Sequence, residues 1–71
     1  MMDRELAVTI QNHCLAAIAE LSRLLYSAQG KCSDKEFEKI KRAVGLIIGQ
    51  YLEGEILQTI YSQHPDLDNL E

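Results

Sequence analysis

Tryptophan is absent, phenylalanine and proline occur once each, and no serine- or proline-rich tract interrupts the 71 residues. That composition suits a packed core, so disorder is expected only at the ends. The longest uninterrupted apolar run, Ala43 to Gly49, falls far short of the roughly 20 residues that a membrane span needs. The opening Met1-Met2-Asp3-Arg4-Glu5 lacks the basic start and apolar block of a secretory leader, which points to the cytoplasm. There is no phosphate-cradling glycine loop, and no Ser-His-Asp set is suggested by spacing. Positive charge is scarce as well. The net charge is −4, and the last third, residues 43–71, carries −5 of it. That balance argues against a phosphate backbone as the main partner, since nucleic-acid binding rests on clustered Lys and Arg. Lys31, Lys35, Lys39, Lys41 and Arg42 are the one basic concentration, and Asp34, Glu36 and Glu38 dilute it into a solvated, salt-bridged helix start.

What is present is helix. From about residue 4 to 28, Leu6, Ile10, Cys14, Ala17, Leu21, Leu24 and Ala28 recur in steps of three and four, the pattern of one buried helical stripe. A thinner stripe, Val8, Leu15, Ala19 and Tyr26, lies well around the same helix. Gln29-Gly30-Lys31-Cys32 follows as a turn over 29–33, with Gly30 suited to the left-handed conformation that closes a helix. Ser33 and Glu36 then form a capping-box signature, serine at the cap and glutamate three residues on.

The second helix, about 34–63, is the element around which the chain is organised, because it carries two apolar faces. Phe37, Ile40, Val44, Ile47, Ile48 and Tyr51 make one stripe. Gly45, Leu46, Gly49, Leu52, Ile56, Leu57 and Ile60 fall mostly on the far side. One partner helix covers only one of these faces, so the other predicts burial by something further, most simply another copy of the chain. Gly45, Gly49 and Gly54 together cost about 3 kcal/mol of helix propensity, which calls for compensation; the four-residue spacing of Gly45 and Gly49 suits close approach of another helix. At Gly54 the first stripe ends, and Glu55 and Gln58 take over its angular positions, as a kink or a separate short third helix would require. Pro65 stops the helix. The tail, 64–71, offers Leu67 and Leu70 to pack back on the bundle.

Few residues suit catalysis. His13 and Cys14 are adjacent and so point about 100° apart on a helix; Cys14 belongs to the apolar stripe, where a thiol acts as a small hydrophobe. Cys32 lies in the turn, too far from Cys14 for a disulfide. His13, His64, Asp66 and Asp68 lack recognised metal-ligand spacing. No cofactor, metal ligand or catalytic residue is therefore assigned.

Val44-Gly45-Leu46-Ile47-Ile48-Gly49 and Ile56-Leu57, leading to His64-Pro65-Asp66-Leu67, resemble the glycine-punctuated helix of short, uncharacterised bacterial helical proteins. The resemblance covers the second half of the chain. It implies a helical fold and carries over neither an activity nor a functional residue.

The expectation is thus a single all-α domain, a long antiparallel helical hairpin that dimerises into a four-helix bundle. Gly45, Gly49, Leu52, Ile56 and Ile60, with Leu15 and Tyr26 of helix one, form the expected interface, and the expected role is interaction or regulation without catalysis. Two rivals stand beside it. One is an adaptor receiving a helix from a different protein; the other is a ligand or metal carrier with a site completed between subunits by His13, Tyr51 or His64.

Overall fold

A computed structural model of the chain describes residues 2–68, and these are helical nearly throughout. Helix α1, Arg4–Ala28, begins at Asp3, whose carboxylate accepts the Leu6 N–H at 2.8 Å. This satisfies one of the donors that a helix start leaves unpaired. Gly30, at φ 79°, is the residue that turns the chain after α1, a conformation that side-chain-bearing residues resist. Helix α2, Asp34–Leu46, starts with both halves of the capping box in place: Ser33 Oγ accepts from Glu36 N at 3.1 Å, and Ser33 N donates to Glu36 Oε1 at 3.0 Å. α2 then continues without a break into a π-helix, Ile47–Leu57, a short helix α3, Gln58–Gln63, and a 3₁₀ turn, Pro65–Asp68.

The cap supports two measurable outcomes. Ser33→Ala should destabilise the fold by about 1 kcal/mol in urea unfolding. Hydrogen bonds to the carboxylate from Ser33, the backbone N–H first and the hydroxyl after it, hold the Glu36 carboxyl below its ordinary 4.5. A lowered folded-state pKa stabilises above the unfolded value and is lost as pH falls through the folded one. The stability difference between the wild type and Glu36→Gln should therefore be present at neutral pH and vanish on acidification below 4.5.

α1 lies against α2 and the π-helix as an antiparallel hairpin 45 Å long, 19 Å wide and 16 Å thick. Its best-buried apolar residues are Ala7, Cys14, Val44, Leu57, Ile60 and Leu67. Leu67 thus packs back as its position in the tail suggested, whereas Leu70 lies outside the described residues.

The π-helix explains why this core differs from the expected stripes. On a continuous α-helix Ile60 would stand about 160° from Val44, on the opposite side. A π-helix closes i→i+5 hydrogen bonds and so turns fewer degrees per residue, about 85° against 100°. Over Ile47–Leu57 the deficit reaches about 150°, which swings Ile60 back over the line of Val44. The exchange is visible in the burial. Leu57 and Ile60, expected on the far face, are core residues, and Leu52 is half-buried against them. Ile47 and Tyr51, expected in the core stripe, are exposed. The compensation sought for the glycines is this rephasing, because it brings two large aliphatic side chains into the hairpin.

Helix α1 needs a smaller correction. Its buried line is Ala7, Gln11 and Cys14, so the hairpin centre sits on one side of the expected stripe, and Leu6 and Leu24 at its other edge are left exposed.

Candidate functional site

At the open end of the hairpin, polar groups tie the termini together. Gln11 is buried, and its Nε2 donates to the Leu67 carbonyl at 2.9 Å and to Tyr61 Oη at 3.2 Å. Met2 N donates to Gln63 Oε1 at 2.8 Å, and His64 Nε2 lies 3.0 Å from the Met2 carbonyl. Arg4 pairs with Asp66, both side chains more than half exposed, a pair worth little by itself. These contacts close the end of the core. Gln11 escaped the sequence pattern because a glutamine counts as polar; its place between Ala7 and Cys14, four and three residues away, was the available signal.

The residues with reactive side chains stay apart. Cys14 is buried, and burial pushes its thiol above the ordinary range, which keeps it protonated and unreactive. Cys32 is half-buried in the turn, with Sγ 3.5 Å from the Ala28 carbonyl, at the opposite end of the molecule from His64. Both cysteines are free. His13 is exposed on α1. Among the described residues no three His, Cys, Asp or Glu side chains gather as metal ligands would, and no helix is long and apolar enough to cross a membrane.

The remaining conspicuous feature is exposed apolar surface. Among the described residues eight large apolar side chains are more than two-fifths exposed, more than the number of well-buried ones. Single exposed leucines are ordinary; contiguous ones mark interaction sites. Seven of them divide between the two sides of the hairpin; the eighth, Leu46, 51% exposed, stands about 200° from Val44 on the outer side of α2. On α1, Leu6 and Leu24 are eighteen residues, five full turns, apart and share one flank. Leu15 and Tyr26, three turns apart, share the other.

Helix two supplies matching residues. Ile47 and Tyr51, one turn apart, rise on the same side as Leu6 and Leu24, because in an antiparallel pair residues preceding the facing line by the same angle fall on the same side of both helices. An open, mostly apolar cleft of about 350 Å³ lies on this side, between Met2 and Ile10 on one wall and Glu55, Ile56, Thr59 and Ile60 on the other. The opposite flank has a smaller cleft of about 280 Å³, where Tyr26, 80% exposed, meets Ser22, Leu25, Gln29 and Phe37.

The expected interface residues are therefore scattered. Ile60 is in the core, 1% exposed, and so is closed to a partner, while Leu52 is half-buried against that core; the π-helix has turned both inward. Ile56 remains exposed beside the larger cleft. Leu15 and Tyr26 are exposed on the opposite flank. Gly45 and Gly49 are exposed, and a Cβ at either would meet nothing within 4 Å. Leu6, Leu24, Ile47 and Tyr51, expected in the internal core, are instead exposed. No family model, curated protein or solved structure was found to match the chain.

Proposed function

We propose that the chain is a small non-enzymatic helical interaction module that pairs with a second copy of itself, two hairpins forming a four-helix bundle. The observation that carries this reading is the apolar flank of Leu6, Leu24, Ile47, Tyr51 and Ile56, all between 41% and 49% exposed. The two helices cover only part of their apolar surface with each other, and chains of this length often depend on oligomerisation. The broad side, 45 by 19 Å, is about 850 Å², close to the roughly 800 Å² that each partner contributes to a standard interface. Two free thiols fit a reducing compartment, and the proposed setting is the cytoplasm.

Light scattering of the purified protein over a dilution series tests the reading. The wild type is expected at twice the chain mass into the low micromolar range. Ile47→Asp, on the flank, should run as a monomer with its helical circular dichroism retained. Leu15→Asp, on the other side of the hairpin, should remain a dimer. A wild type that is monomeric throughout would refute self-pairing and give the flank to a helix from a different protein.

A further inference from the structure

We infer that the two copies lie antiparallel, the basic turn end of each against the acidic open end of the other, across the flank that carries Ile47 and Tyr51. The inference rests on the pairing proposed above and adds its direction.

Two elongated copies that meet side by side through the same flank have two symmetric choices. The two-fold axis runs along the rods, making them parallel, or crosses them, making them antiparallel. Apolar contact does not choose between these, but charge does. From Lys31 to Arg42, five Lys and Arg face three Asp and Glu, so the turn end is +2. Among the described residues at the open end, Asp3, Glu5, Glu53, Glu55, Asp66 and Asp68 are opposed by Arg4 alone, which leaves −5. A parallel pair stacks like charge on like at both ends. An antiparallel pair sets opposite charge together at both ends, and such complementarity fixes orientation and speeds encounter more than it deepens affinity.

The residues along the flank obey the same symmetry. Lys39 and Glu55 stand eight positions either side of Ile47. Lys39 lines a groove of about 500 Å³ on the outer side of α2 with Lys35, Glu38 and Arg42, and Glu55 lines the apolar cleft beside Ile56. On α1, Leu6 and Leu24 stand nine positions either side of Leu15, and Leu15 and Ile47 are each sixteen residues from the middle of the turn. The midpoints of both helices therefore lie at about the same level. A two-fold axis crossing there brings each Lys39 to the partner's end that holds Glu55, and each Leu6 to the level of the other copy's Leu24.

Cross-linking tests the direction separately from the pairing. In a Cys32→Ser background, where the buried Cys14 is the only other thiol, Lys39→Cys and Glu55→Cys are made as separate proteins, checked for helicity and treated with a short bis-maleimide. The mixture of the two should give linked dimer at least ten-fold above either protein alone. Lys39→Cys linking to itself, with the dimer mass intact, would overturn the antiparallel direction and leave the pairing standing. A dimer that links in no combination would overturn the antiparallel direction across this flank, because a parallel pair through it holds the two Lys39 on opposite edges. A monomeric wild type would remove the pairing and the direction together.

Discussion

Ile60→Ala should lower stability by about 2–5 kcal/mol, the range for truncating a fully buried aliphatic side chain, whereas Ile56→Ala, one turn earlier, should cost well under half of that. Ile60 is 1% exposed and sits among Ala7, Cys14, Leu57 and Leu67. Removing three carbons there leaves a cavity in a core too small to relax around it. The whole fold of a chain this size is worth about 4–10 kcal/mol, so the loss takes a large part of the margin and shifts the thermal midpoint by about 8 °C or more on the usual scaling of about 4–8 °C per kcal/mol. Ile56 lies open beside the larger cleft and loses only contacts that water already reaches. Urea unfolding followed by circular dichroism at one fixed protein concentration compares the two, because the stability of a self-associating chain depends on concentration. A continuous α-helix would put both residues on the far face, about 120° and 160° from Val44. A loss at Ile60 as small as the loss at Ile56 would therefore contradict the π-helix and the core built from it.

The contrast between Ile56 and Ile60 also marks how far the sequence could be read. Signals confined to a few neighbouring residues were fully legible: Ser33 with Glu36 gives the start of α2, Gly30 the turn and Pro65 the stop, each because a local hydrogen bond or backbone angle admits few residue types. Assigning faces on helix two was not legible in the same way, because a wheel at 100° per residue presumes α winding throughout. Glu55 and Gln58 at core angles were the warning. A kink at Gly54 accommodates them as well as a change of winding does, and only the backbone distinguishes the two. Ile60 and Leu52 were consequently taken for partner-facing residues, and Ile47 and Tyr51 for core. The existence of surplus apolar surface survived the error, since it follows from the number of apolar residues against the capacity of two helices. Its location did not, and the flank of Leu6, Leu24, Ile47 and Tyr51 emerged only from burial in the folded hairpin.

Gly54→Ala should destabilise the protein by about 1–3 kcal/mol, the cost of forcing atoms into a filled space, while Gly45→Ala should stabilise it by about 0.4–1 kcal/mol. In an ordinary helix interior both substitutions gain, because alanine loses less backbone freedom on folding. Gly45 is such a position: it lies in α2, and an added Cβ meets nothing within 4 Å. At Gly54 the Cβ would stand 2.9 Å from the carbonyl oxygen of Gly49, five residues back and thus the hydrogen-bond acceptor across one π turn. That contact is with backbone, so no side chain can swing aside to relieve it. The chain then has two costly choices. It can distort the turn, or it can rewind toward α geometry, which rotates Leu57 and Ile60 out of the core and opens the cavity described above. The sign of the Gly54 effect, read beside Gly45 in the same urea titration, is decisive: two stabilising alanines would mean that the segment from Ile47 to Leu57 winds as an ordinary α-helix, and that the apolar flank must be redrawn with it.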